Sequence, residues 1–178
     1  MNRKYLDKLI AMNDSKSWRR RDFFLSTIRP KLPEGLELVS PPPLDGNYNC
    51  FLFMLGLHED KEILSSSKGF IYDGLIIKLI DESLLERVAE SDSQNGDYVI
   101  YADSVRYPEV LTHGGILDEN KVLSKWAWGP LLRHKALDVP DSYGSELSYF
   151  RQIEKSKAAE LYWEYKSYNL PIEIDFGS

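Results

Sequence analysis

Gly96-Asp97-Tyr98-Val99-Ile100-Tyr101-Ala102 marks the point where this chain changes its period. Upstream of it, apolar residues recur at helical spacing. From Asp97 onward they alternate or run in short stretches rich in β-branched and aromatic side chains, each closed by a turn signal. A helical first half followed by a run of antiparallel strands is the pattern of an α+β domain.

Downstream, residues 97–102 form a first strand and 103–109 a turn. A second strand over 110–117 contains Leu111-Thr112-His113-Gly114-Gly115-Ile116, and Asp118-Glu119-Asn120 turns it into a third over 121–126. Gly129-Pro130 breaks the third. Leu131-Leu132-Arg133-His134 reads as a fourth, and Leu147-Ser148-Tyr149-Phe150 as another after a turn at 140–144. Residues 154–168 mix Ala, Glu and Lys with Tyr162, Trp163, Tyr165 and Tyr168, which predicts a closing helix packed on the sheet.

Upstream, Leu6, Leu9 and Ile10 share one helical face. Ser15 or Ser17 is placed to cap a second helix holding Trp18, Phe23, Phe24, Leu25 and Ile28, which Pro30 and Pro33 stop. Residues 33–47 read as an extended connector, stiffened by Pro41-Pro42-Pro43 and turned by Asp45-Gly46. A helix then runs from Cys50 to about residue 57, ending around Gly56. Residues 58–68, with Ser65-Ser66-Ser67, read as a surface loop. Tyr72 or Asp73 opens an apolar helix through Leu75, Ile76, Leu79 and Ile80, and a short acidic helix over 83–88 precedes a loop at 91–96.

A length of 178 residues favours one domain with a real core. The pattern divides it into a helical N-terminal extension (1–32), a core (45–150) and the closing helix (154–168). The single cysteine forms no internal disulfide. No leader-like apolar segment and no run of membrane-spanning length is present, so the expected location is the cytoplasm, with no membrane partner. Residues 1–31 carry nine Lys and Arg against three Asp, although the whole chain has a net charge of −6. Only Arg19-Arg20-Arg21 is dense. No nucleic-acid motif accompanies it, and docking on the protein's own acidic surface explains it better than a nucleic-acid partner.

The residues with reactive chemistry are Cys50 and His113. Cys50 stands where the polar turn at 45–49 becomes Phe51-Leu52-Phe53-Met54-Leu55. A thiol in the first turn of a buried helix faces unpaired N–H groups, which favour thiolate. A strand-borne histidine beside it is a suitable base, and glycines next to a histidine leave room for close approach. The plainer readings are an inert buried thiol and a strand histidine satisfied by a carbonyl.

Tyr48-Asn49-Cys50-Phe51-Leu52-Phe53, the Gly96-Asp97 strand start and Thr112-His113-Gly114-Gly115-Ile116 together resemble the papain-like NlpC-type cysteine peptidases over residues 45–126. The stretch from Ser124-Lys125-Trp126 to Ser142-Tyr143-Gly144 is similar to a divergent bacterial branch of that group. The resemblance implies a papain-like fold with Cys50 as nucleophile, His113 as base and Ser124, two residues before Trp126, as the orienting third member. It places the oxyanion against the Cys50 N–H with Tyr48 or Asn47, and Trp126 at the substrate cleft. Ser124 is shorter than the usual orienting residue, and Asn49 replaces the Asp that often precedes the cysteine. No cofactor and no metal is implied.

The remaining histidines compete weakly. His134 lies between Arg133 and Lys135 and reads as a surface residue, as does His58 beside Glu59 and Asp60. A metal site from His113, His134 and an Asp has no supporting ligand spacing. Trp126 and Trp128 share a face if the third strand continues, and core packing explains them best. The expected function is a thiol hydrolase cleaving an amide or related acyl bond in a peptide-like or acyl substrate. The alternative is a catalytically silent binding module on the same fold.

Overall fold

The computed structural model describes residues 1–15, 19–44, 47–108 and 110–169. Its centre is a seven-stranded sheet of β1 (Glu37–Ser40), β2 (Arg87–Val88), β3 (Tyr98–Ala102), β4 (Leu111–Asp118), β5 (Lys121–Lys125), β6 (Leu131–His134) and β7 (Glu146–Phe150). The spatial order is β1-β6-β5-β4-β3-β7-β2, and every pairing is antiparallel. The α+β class and the antiparallel sheet expected from the change of period are therefore present.

Helices pack on both faces. On one face, α3 (Cys50–Met54), α5 (Asp73–Asp81) and α6 (Lys155–Asn169) bury Leu52, Ile76, Leu79 and Leu161 against Tyr98, Ile100 and Phe150. On the other, α1 (Arg3–Asp14) and the segment after it bury Leu6, Leu9, Phe24 and Ile28 against Val99, Tyr101, Val122 and Leu132. The N-terminal helices thus form the second covering layer of the sheet.

Alternation in β4 decides which layer each residue meets. A Cβ built on Gly114 would lie 2.8 Å from Met54 Sδ and 3.1 Å from the Phe51 ring. Glycine at that position lets α3 lie directly on the strand. His113 and Gly115 leave on the opposite face, beside Tyr101 and Val99 of β3.

Several local expectations need correction. Ser15 ends α1, with its N–H bonded to Ala11 O, and does not open the next helix. Ser17 and Trp18 lie outside the described residues, as does the Asp45-Gly46 turn. The second helix is α2 (Arg20–Phe23), continued by a π turn at Phe24–Ile28 and a 3-10 turn at Arg29–Lys31 containing Pro30. The connector contains β1, which pairs with β6 at the sheet edge.

Residues 58–68 are not a loop. Asp60 accepts the N–H groups of Glu62 and Ile63 and caps α4 (Lys61–Ser67), whose Ile63 is fully buried. The acidic helix expected over 83–88 is instead a turn leading into β2, which pairs with β7. Strand β5 stops at Lys125, so Trp126 and Trp128 do not share a strand face. Trp126 is buried in the core under α1, and Trp128 sits by the Phe70 ring. Along α6, Tyr162 is buried but Trp163 and Tyr168 face solvent.

The basic segment docks on the protein itself. Arg20 donates to Asn47 Oδ1 at 3.1 Å and lies 4.0 Å from Asp14, while Arg21 donates to Pro42 O. Among the described residues, no helix is long and apolar enough to cross a membrane.

Candidate functional site

Cys50 is the first residue of α3 and is 8% exposed. Asn49 fixes the helix start: its Oδ1 accepts the Leu52 N–H at 3.2 Å, and its Nδ2 donates to Ile71 O at 2.7 Å. Burial pushes the thiol up to about 11, outweighing the backbone N–H groups of Gly114, Phe51 and Cys50 and the charge of Lys125, which all favour thiolate. The thiolate expected from the helix terminus is therefore not the resting form. A helix of five residues has little aligned dipole to set against the loss of solvent.

His113 is the third residue of β4 and is 1% exposed. Its ring lies between Tyr101, at 5.4 Å between centroids, and Tyr143, at 3.9 Å with planes 13° apart. Thr112 secures this arrangement, its hydroxyl proton shared between Tyr143 O at 2.6 Å and Tyr101 O at 3.1 Å. Burial, and secondarily the charge of His134, hold the imidazole well below the ordinary histidine range. At neutral pH it is uncharged. Its Nε2 is buried with no hydrogen-bond partner.

One cavity of about 450 Å³ is lined by Cys50, His113 and Tyr143, together with Phe70, Tyr107 and Leu111. Cys50 comes from the α3 side of the sheet and His113 from the other face. Both nevertheless line the same cavity, together with Leu111, the first residue of β4. Among the described residues no hydrogen bond joins the thiol to the imidazole. Ala127 also lines the cavity with φ at 47°, a left-handed conformation that non-glycine residues rarely hold.

The other expected site residues lie elsewhere. Ser124 stands opposite Gly115, and its Oγ bonds His134 Nε2 at 2.8 Å while accepting the Trp126 indole N–H at 3.1 Å. His134 Nδ1 lies 2.9 Å from Lys135 O, which can only accept. The ring proton is therefore on Nδ1, Nε2 accepts from the Ser124 hydroxyl, and the network is closed. Asn47 Oδ1 is occupied by Arg20, and Tyr48 packs on His58 at 4.7 Å with Lys125 Nζ 5.1 Å above its ring. Ser124, Asn47, Tyr48 and Trp126 do not line the cavity of Cys50 and His113.

Two surface assignments are corrected. His134 is fully buried, and burial pushes it down to about 4. His58 is half-buried between Tyr48 and Phe53, with Nδ1 unpartnered.

Sequence reasoning missed two residues. Tyr143, in a 3-10 turn at Asp141–Tyr143, has its Oη buried on the cavity wall beside the Ala127 backbone, with no hydrogen bond of normal geometry. Lys125 is 1% exposed, shares the α3 face of the sheet with Gly114 and donates to Gly129 O. Burial pushes it down to about 7. The only sequence signal for either was its place in the stretch from Ser124-Lys125-Trp126 to Ser142-Tyr143-Gly144. Among the described residues no cluster of His, Cys, Asp and Glu is placed to hold a metal ion. Compared with known protein families, curated proteins and solved structures, the chain matches none of them.

Proposed function

We propose that this chain is a thiol hydrolase of papain-like arrangement, acting on an amide or related acyl bond through Cys50 and His113. The observation that carries the reading is the shared cavity: a lone buried thiol and an imidazole with an uncommitted buried nitrogen open onto the same space. The order of helix-borne thiol, then strand-borne histidine on an antiparallel sheet, also supports it.

Both groups rest uncharged, so His113 acts as a general base when substrate enters and not as a standing imidazolium. The thiol proton passes to the imidazole as sulfur bonds to the carbonyl carbon. The bond to the leaving amine or alcohol then breaks, and that group takes the proton from His113. Water, deprotonated by the same imidazole, cleaves the thioester and releases a carboxylic acid and the free thiol. In this reading the donors to the carbonyl oxygen are Tyr143 Oη, buried on the cavity wall, and the N–H of Cys50 at the first position of α3.

A second reading, a silent binding module, is favoured by the raised thiol and by the lack of a Cys50–His113 hydrogen bond. Intact-mass analysis after p-nitrophenyl acetate treatment separates the two. The hydrolase reading expects one acetyl adduct that forms and then turns over, absent in Cys50→Ser. No adduct on the wild-type protein supports the module.

A further inference from the structure

The polar groups along the cavity wall are almost all engaged within the protein. The side chain of Asn49 is held by Leu52 and Ile71, that of Thr112 by Tyr101 and Tyr143, and that of Ser142 by Asp7. Among the described residues, the buried polar side-chain atoms left unpartnered on this wall are His113 Nε2 and Tyr143 Oη, both grouped with Cys50. The rest is mostly apolar or aromatic, including Phe70, Ile71, Val110 and Leu111, apart from the Asp73 carboxylate, which accepts the Leu111 N–H.

The cavity does not end at that wall. Tyr107, Val110 and Leu111 also line a second groove of about 660 Å³, which continues to Ile77 and Ile80 on α5 and has Asp81 and Ser104 at its margin. Val110 is 42% exposed and Tyr107 48% exposed on the ridge between the two. A peptide laid along this ridge needs donors for its amide carbonyls, but among the described residues the N–H groups of Ser104, Arg106, Tyr107, Val110 and Leu111 are already used. Those of Ser104, Arg106, Tyr107 and Val110 go to Glu146, Asp103 Oδ1, Asp103 O and Tyr107 O. That of Leu111 goes to Asp73, and Pro108 has none.

We infer that the acyl group taken by this site is an apolar chain: one carbonyl among Cys50, His113 and Tyr143, with an alkyl body lying over Tyr107 and Val110 into the Ile77–Ile80 groove. The inference rests on the thiol-hydrolase reading and narrows its substrate from peptide-like to aliphatic acyl. An alkyl chain loses no hydrogen bonds on entering such a groove, whereas a peptide's carbonyls give up their water partners with those N–H groups already taken.

The test is the rate at which Cys50 is acylated by p-nitrophenyl acetate, p-nitrophenyl octanoate and the p-nitrophenyl ester of N-acetyl-Ala-Ala. The expected order puts octanoate fastest, by about a hundredfold or more over acetate, since each buried methylene is worth about a fourfold gain. Val110→Asp, on the exposed ridge, should lower the octanoate-to-acetate rate ratio by about tenfold or more. Octanoate no faster than acetate, the peptidyl ester fastest, or a Val110→Asp protein with an unchanged octanoate-to-acetate ratio each overturns the inference alone. Failure of all three esters to acylate the wild-type protein overturns the hydrolase reading beneath it.

Discussion

The imidazole of His113 lies flat against the phenol of Tyr143, ring centroids 3.9 Å apart and planes 13° apart. The stack orients the base, and the phenol oxygen beyond it is buried without a partner. Tyr143→Phe keeps the ring and removes the oxygen. Its melting temperature should equal or exceed that of the wild type, because an unpaired buried hydroxyl costs about 1–3 kcal/mol. Cys50 acetylation should fall about a hundredfold to a thousandfold, the range for loss of one oxyanion donor.

Ser124 supports His134 and not His113. Ser124→Ala strands His134 Nε2 and the Trp126 indole N–H, so urea denaturation should show a loss of about 1–3 kcal/mol. The acetylation rate of the remaining folded protein should stay within about twofold. A large rate loss at full stability would restore Ser124 as part of the catalytic group.

Acid should weaken the fold through its buried histidines. His134 is held down at about 4 by burial, against 6.5 ordinarily, and His113 is shifted the same way. Between those values the unfolded chain binds more protons than the folded one. Stability is therefore fully present above about 6.5 and is lost as pH falls toward 4, by about 3 kcal/mol for His134. In urea titrations across that window, His134→Gln should flatten the slope, whatever its absolute stability.

Lys125 should limit stability at neutral pH. Its folded value of about 7 lies below the 10.5 of the free side chain, so stability rises as pH passes from 7 to 10.5, and the cost of burial is fully present below 7. Lys125→Met fills the same space without a charge, and Asp14 keeps Arg20 nearby. The variant should be about 1–3 kcal/mol more stable at pH 7 and lose the alkaline rise, as followed by thermal melts.

The strands were legible because a half-buried strand writes its alternation into the chain, and Tyr98-Val99-Ile100-Tyr101 between turn residues admits little else. Helix α4 was not, because its Ser65-Ser66-Ser67 run has loop chemistry and the deciding signal was a single cap, Asp60. His134 was misread for a related reason. Arg133 and Lys135 flank it, but successive strand residues point to opposite faces, so charged neighbours say nothing against burial. At the site, Cys50 and His113 stand out by residue type. Tyr143 reaches them from a distant turn, and Lys125 is buried by layer stacking that no local pattern encodes.

The central claim is that His113 takes the proton from Cys50. The direct measurement is the acetylation rate of Cys50 by p-nitrophenyl acetate from pH 7 to pH 11, in the wild-type protein and in His113→Ala. The account requires the variant to be slower by about a hundredfold or more at pH 7.5, the usual contribution of a general base. The two rates should converge near pH 11, where the thiol ionises without help. Equal rates at pH 7.5 would contradict it.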